Sequence, residues 1–413
     1  METSSQILDL AALLKDYRKK SKISIRTLAD LSFMSYQLVS KYETRTARLS
    51  FDTFLDISKH LNIDLEKIVY IQNHLAKDLN RLHDSLVFLY KDEAIQLHQR
   101  IESVQEYIIY SNLQLNWKVV DFLFDFNFHS HKNSPEFDFS FSDDIENEQP
   151  NAIVFEAVAL SRLMVKDLIE ANKAIQKALS SNPKQSIIGL LNYHSGYILL
   201  RLGRLNSAMQ YSLYAEQEFI KTHNLNRLVQ VQYNIATIYA RMGLLDKAME
   251  RYLRLYHNAT NNNDLKLEHN SLYYIAWLEF LNGDYIKSLN TVDLIDEKFK
   301  LLADGYYIRA LNFIEMNENE DALSAIFHGL SRPLNASVAL KLGILKIYIE
   351  KGNSASYMNE LLRVLSIAKK DNDVDTIEFA LDHLEIYYEK FHLYKMQGQI
   401  LKEKLAFAMT KLQ

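Results

Sequence analysis

Between residues 155 and 370 the chain repeats, and that repeat restricts its fold more than any other feature. A small residue, a turn seven positions on, and a second small residue five beyond recur along it. Gly196, Gly203 and Ala208 form one set, Ala236, Gly243 and Ala248 the next, and Ala276, Gly283 and Ser288 a third. Ala310, Asn317 and Ala322 continue the series. A degenerate set (Ala159, Lys166, Ala171) precedes these, and a weaker one (Leu345, Gly352, Tyr357) follows. Turn positions step by 34 to 40 residues. A helix–turn–helix unit of that period cannot bury its apolar face alone, so units must stack on their neighbours. The small residues let paired helices approach closely, and a turn glycine accepts φ > 0.

Composition agrees with a helical chain. Ten glycines and four prolines in 413 residues are too few for the turns of sandwiches, barrels or Rossmann folds. All ten glycines lie after residue 188, and neither GxxxxGK nor GxGxxG occurs, so no glycine-rich phosphate loop is expected. The absence of cysteine excludes disulfides, Cys-ligated zinc and thiol catalysis. It fits a cytoplasmic location. No secretory leader and no membrane span are expected. The net charge is −5, but it is unevenly spread. Lysines and arginines exceed acids in residues 1–48, and the remainder is acidic. A basic head on an acidic body points to DNA at one end only.

The head reads as five short helices over residues 5–70. Ser24, Ser35, Ser50 and Asp64 cap the last four, each offering a side-chain oxygen to unpaired helix N–H groups. Residues 71–126 read as helical without a repeat, and 127–150 as an exposed acidic loop holding His129 and His131. Those histidines lack an obvious third ligand, so no metal and no cofactor are expected. The domains are therefore 1–70, a connector at 71–150, repeats at 151–370 and capping helices at 371–413. The fold class is all-α: a five-helix head followed by an α-solenoid.

The repeat period and its small residues resemble the tetratricopeptide family, whose arrays bind peptides or proteins in a concave groove and are rarely enzymes. Residues 24–63 resemble the XRE, or Cro, type of helix-turn-helix. The matching features are Leu28–Ala29, Ser35, Val39, Glu43 and the Ser50–Phe54–Ile57–Leu61 stripe. Phe33 and Arg45 stand where that family usually has glycine, and Ile25 where it usually has glutamine. The resemblance implies that helix 35–43 enters the major groove and presents Tyr36, Gln37, Ser40 and Lys41 to the bases. Arg26, Thr44, Arg45, Thr46 and Arg48 then become phosphate contacts.

A helix-turn-helix head joined to such repeats resembles the RRNPP peptide-pheromone receptors, here also through Tyr233-Asn234-Ile235-Ala236. That likeness implies asparagines that clamp a short peptide backbone, since an amide both donates and accepts. Asn234, Asn192, Asn270 and Asn312 are the candidates, with Tyr193, Tyr233, Tyr274, Arg201, Arg241 and Arg309 beside them. The expected protein is a non-enzymatic regulator with operator DNA, a short signalling peptide and a second copy of itself as partners. The alternative is an adaptor that sequesters a protein such as a response regulator.

Overall fold

The computed structural model describes residues 8–61, 63–111, 113–128, 152–333, 336–371 and 373–411. These divide into two compact units, residues 1–157 and 158–413. The acidic stretch expected at 127–150, with both loop histidines, lies outside the described residues from 129 onward.

The first unit opens with α1 (Leu10–Lys20), α2 (Ile25–Leu31), α3 (Tyr36–Glu43) and α4 (Phe51–Ser58). The caps fall where the sequence puts them. Ser24, Ser35 and Ser50 accept from the N–H groups of Thr27, Leu38 and Thr53, and Asp64 accepts from Lys67. Leu13, Leu14, Leu28, Val39, Phe54 and Ile57 are fully buried at the centre. Each such side chain contributes roughly 1.5–3 kcal/mol of transfer free energy. The turn residues Phe33 and Arg45 adopt φ of 52° and 59°, the left-handed region that explains the glycines usual at these places.

The fifth helix does not end near residue 70. It runs on as α5 (Leu65–Phe88), because Ile68, Leu75, Leu79, Leu82 and Leu86 keep one apolar stripe and nothing breaks it. Leu89, at φ 55°, makes the turn into α6 (Lys91–Glu102). A 3-10 segment, Gln105–Tyr110, then returns to the head before α7 (Gln114–Phe128). Tyr110 is 2% exposed inside the head's core, its carbonyl accepts from Asp9 N–H at 2.8 Å, and its hydroxyl donates to Asp16 at 2.5 Å. Head and connector thus form one body.

The second unit is a row of helix hairpins. α8 (Ala152–Met164), which carries the boundary between the units, is followed by α9 (Leu168–Ser180). Then come α10 (Gln185–Arg201) with α11 (Leu205–Lys221), α12 (Leu225–Arg241) with α13 (Leu245–Asn262), and α14 (Leu265–Leu281) with α15 (Tyr285–Phe299). α16 (Ala303–Glu315) pairs with α17 (Asn319–Leu330), α18 (Ala336–Lys351) with α19 (Ala355–Lys370), and α20 (Val374–Lys390) with α21 (Tyr394–Lys411). All six turn positions read from the sequence have positive φ: Lys166, Gly203, Gly243, Gly283, Asn317 and Gly352. His392 makes the same turn between α20 and α21, at φ 56°. The described residues 373–411 therefore continue the hairpin geometry that their sequence conceals.

The last hairpins hold a titratable contact. His383 Nδ1 lies 2.6 Å from the Tyr357 hydroxyl, and its ring lies 4.3 Å from that of Phe379. Burial pushes its pKa down to about 4, against a small opposing pull from Asp382. An unfolded histidine titrates near 6.5, so this contribution to stability is complete above that pH. It is lost as pH falls from about 6.5 to about 4, by up to about 3 kcal/mol. Denaturation midpoints of the wild type and His383→Gln, compared across that window, should show the wild type falling more steeply. Parallel curves would mean the imidazole is not held neutral.

Candidate functional site

The outer face of α3 in the head is exposed. Val39, Tyr42 and Glu43 point inward, while Tyr36, Gln37 and Lys41 are exposed and Ser40 is half-buried. Arg26 lies over the Tyr36 ring, 5.6 Å from its centre. Arg26, Thr44, Arg45, Thr46 and Arg48 are all exposed around the helix. Thr44 and Thr46 donate to carbonyls at the helix end, Ser40 at 2.9 Å and Lys41 at 3.3 Å, which shapes that turn. Arg45 pairs with Asp9 at 2.5 Å, a surface contact that exchanges at little cost. The helix is held from behind. Arg18 Nε and Nη2 donate to both oxygens of Glu43 at 2.5 and 2.9 Å, and Nη1 donates to the Ile23 carbonyl at 2.9 Å.

The second unit carries a cavity of about 700 Å³ lined chiefly by first helices of its hairpins, with Ile367 and Ala368 of α19 at one side. Of the residues expected there, Asn234, Tyr193, Tyr233, Tyr274, Arg201 and Arg241 line it. Asn234 donates Nδ2 to Ser212 Oγ at 3.0 Å, which fixes its amide plane. Burial raises the Tyr193 hydroxyl to about 12, so it stays a neutral donor. The Tyr233 and Tyr274 rings meet edge to face at 5.5 Å, and Tyr274 stacks on Tyr252 at 4.8 Å.

Four expected residues do not line it. Asn192 is buried, with its amide on the Ile188 carbonyl at 2.8 Å. Asn312 is fully buried and donates to Ser288 Oγ and the Ile308 carbonyl. Asn270 is half-buried beside His269. Arg309 is paired with Asp293 and Asp296 of α15. Asn192, Asn312 and Arg309 are instead held by partners of the fold itself, two by carbonyls one turn back and the third by the carboxylates of α15.

A signal for the inner row was present. Tyr193, Tyr197 and Arg201 are four apart, and Tyr233, Thr237 and Arg241 repeat that row 40 residues on. Adding 40 again gives Tyr273, Trp277 and Leu281, which line a second lobe of about 460 Å³. Thr237, Arg241, Tyr274 and Asp375 border both lobes. Residues near 375 could not be placed here from sequence. The solenoid's curvature brings α20 to α12, where Asp375 Oδ1 stands 3.2 Å from Arg241 Nη2.

Among the described residues no group of three or more histidines and carboxylates is placed to hold a metal, and no helix is long and apolar enough to cross a membrane.

Head and body together define a class: a helix-turn-helix domain joined to a solenoid of helical repeats with an inner cavity. Residues 14–68 match the helix-turn-helix family model, and the head is of the XRE type. Comparison with curated protein sequences gives no match. Among solved structures, the chain is similar to a Rap protein complexed with competence and sporulation factor. The TM-score is 0.69 at 14% identity, over 82% of this chain and 99% of that one. It is also similar to the apo form of the quorum sensor NprR from B. thuringiensis, at TM-score 0.60 and 13% identity, again over 82% and 99%. A third is the Rap conjugation gene regulator of plasmid pLS20 with the Phr* peptide, at TM-score 0.55 and 14% identity, over 81% and 96%. The chain therefore has an XRE-type head and a repeat fold like those of the Rap and NprR structures.

Proposed function

We propose that this chain is a peptide-regulated transcription regulator. The head binds operator DNA as part of a homodimer, and the repeat cavity binds a short signalling peptide. The observation that carries this reading is the joining of a bare recognition helix to a tyrosine-lined cavity in one chain. Its volume lies within the range of small-ligand sites. In this reading Tyr36, Gln37, Ser40 and Lys41 read bases, and Arg26, Thr44, Arg45, Thr46 and Arg48 touch phosphates. Asn234, the inner tyrosines and the two cavity arginines hold the peptide. Asn192, Asn270, Asn312 and Arg309 are not part of the proposed site in this conformation. Two heads on half-sites about one helical turn apart would respond to any change in solenoid curvature. A peptide shifts that equilibrium only through unequal affinity for the two states.

The likeness to Rap supports a second reading, an adaptor that holds a folded protein. One experiment separates the two. The full-length protein is incubated with fragmented genomic DNA of its source, with and without a low-mass extract of the culture. The receptor reading expects specific fragments to be retained and the extract to change their retention. Gln37→Ala and Lys41→Ala should each lower discrimination by about 1–3 kcal/mol. Fragments retained regardless of extract would favour the adaptor, and no specific retention would remove the DNA-reading role.

A further inference from the structure

Two cations in the cavity lack adequate partners. The Arg241 side chain is 15% exposed. Its Nη1 donates to the Leu200 carbonyl at 3.1 Å, but its buried Nε and Nη2 have no hydrogen-bond acceptor among the described residues. Asp375 stands 3.2 Å from Nη2 without hydrogen-bond geometry. Its carboxylate is 66% exposed and already solvated. Lys341 is the second cation. It lies half-buried in the smaller lobe, 5.7 Å from the Tyr307 ring centre and 6.0 Å from that of Phe379. Among the described residues it makes no ion pair within 4.0 Å. Burial pulls its pKa below the ordinary lysine value, against Asp375, Asp373 and Asp304.

Three of the lining acids are solvated or already engaged: Asp371 is exposed, Asp373 caps α20 through Thr376, and Asp382 pairs with Lys404 at 2.7 Å. A buried, under-bonded cation is costly, whereas a solvated carboxylate is not. Among the described residues, the buried polar atoms of the lining that lack a hydrogen-bond partner are both on a cation, Arg241.

We propose that the cavity binds a peptide through a carboxylate placed between Arg241 and Lys341, which takes the position Asp375 now borders. This rests on the peptide-receptor reading. Asp375 is then an internal competitor: it partly satisfies Arg241 while the cavity is empty and returns to solvent when ligand enters. The carboxylate comes from the peptide's C-terminus or from an aspartate or glutamate side chain.

The test is affinity selection by the full-length protein from three pools of degenerate heptapeptides, read by mass spectrometry. One pool has free C-termini and no acidic side chains. Another has amidated C-termini and includes Asp and Glu. The last is amidated and lacks acids. The first or second pool should be retained and the third not, and whichever is retained names the source of the carboxylate. Arg241→Met and Lys341→Met should retain about 10- to 100-fold less, as expected for losing a charge-assisted hydrogen bond. Asp375→Asn should retain more, a readout that does not depend on the cavity variants folding. Equal retention of the third pool, or weaker retention by Asp375→Asn, overturns the proposal while leaving a peptide receptor. No retention of any pool overturns both.

Discussion

Replacing Gly196 with leucine should destabilise the repeat unit by about 3 kcal/mol or more, near the upper end for overpacking. Gly196 sits in α10 where that helix crosses α11. A Cβ there would collide with Ser212 Oγ and lie 3.2 Å from both the Ala208 carbonyl oxygen and the Ser212 nitrogen. Two of these atoms are backbone and cannot step aside. Gly343 is the internal control. It also lies within a helix, α18, but nothing stands within 4 Å of its Cβ position. Gly343→Ala should therefore gain about 0.5–1 kcal/mol from helix propensity alone. Urea unfolding followed by far-UV circular dichroism distinguishes them by opposite shifts in midpoint. A Gly196→Leu midpoint equal to wild type would mean the two helices do not cross this closely.

The other large effect belongs to the head. Glu43→Leu should cost about 3–5 kcal/mol, because it leaves the Arg18 guanidinium without its charge partner. The two side chains are 12% and 4% exposed, and the pair is bidentate. It joins α1 to the inner side of α3, so its loss should release α3 before the repeats are affected. Hydrogen exchange in the full-length protein should show faster exchange across residues 10–61 and unchanged protection in α10–α17. Replacing both partners with leucine should recover most of the loss, since no buried charge then remains. If Glu43→Leu exchanges like wild type, the pair contributes nothing to the head and the apolar core alone holds it.

Much of the architecture was legible because it depends on local rules. The caps at Ser24, Ser35, Ser50 and Asp64 follow from side-chain oxygens beside apolar stripes. The six hairpin turns follow from small residues at fixed spacing, and all six have φ > 0. Phe33 and Arg45, read as departures from glycine, occupy the left-handed conformation that glycine would favour. Where local signals are weak, the reading stops short. α5 passes residue 70 because no breaker ends it, and His392 turns the final hairpin without the small residues that mark the others.

The cavity divides the same way. Tyr193, Tyr233, Arg201 and Arg241 were named through the family likeness, and the 40-residue repeat, which puts equivalent positions on equivalent faces, accounts for their sharing the lining. Asn192 and Asn312 misled because residue type was followed; both amides bond within the protein.

The sequence by itself determined the helices, their turns, the basic head and the periodic face, since each is set by residues within one or two turns of chain. Only the tertiary structure decided which distant residues close the cavity. Arg241 and Asp375 are 134 positions apart, and their meeting depends on small rotations summed over several hairpins. No local pattern encodes that sum. The burial of Arg241 and Lys341 appears only once the solenoid has curved.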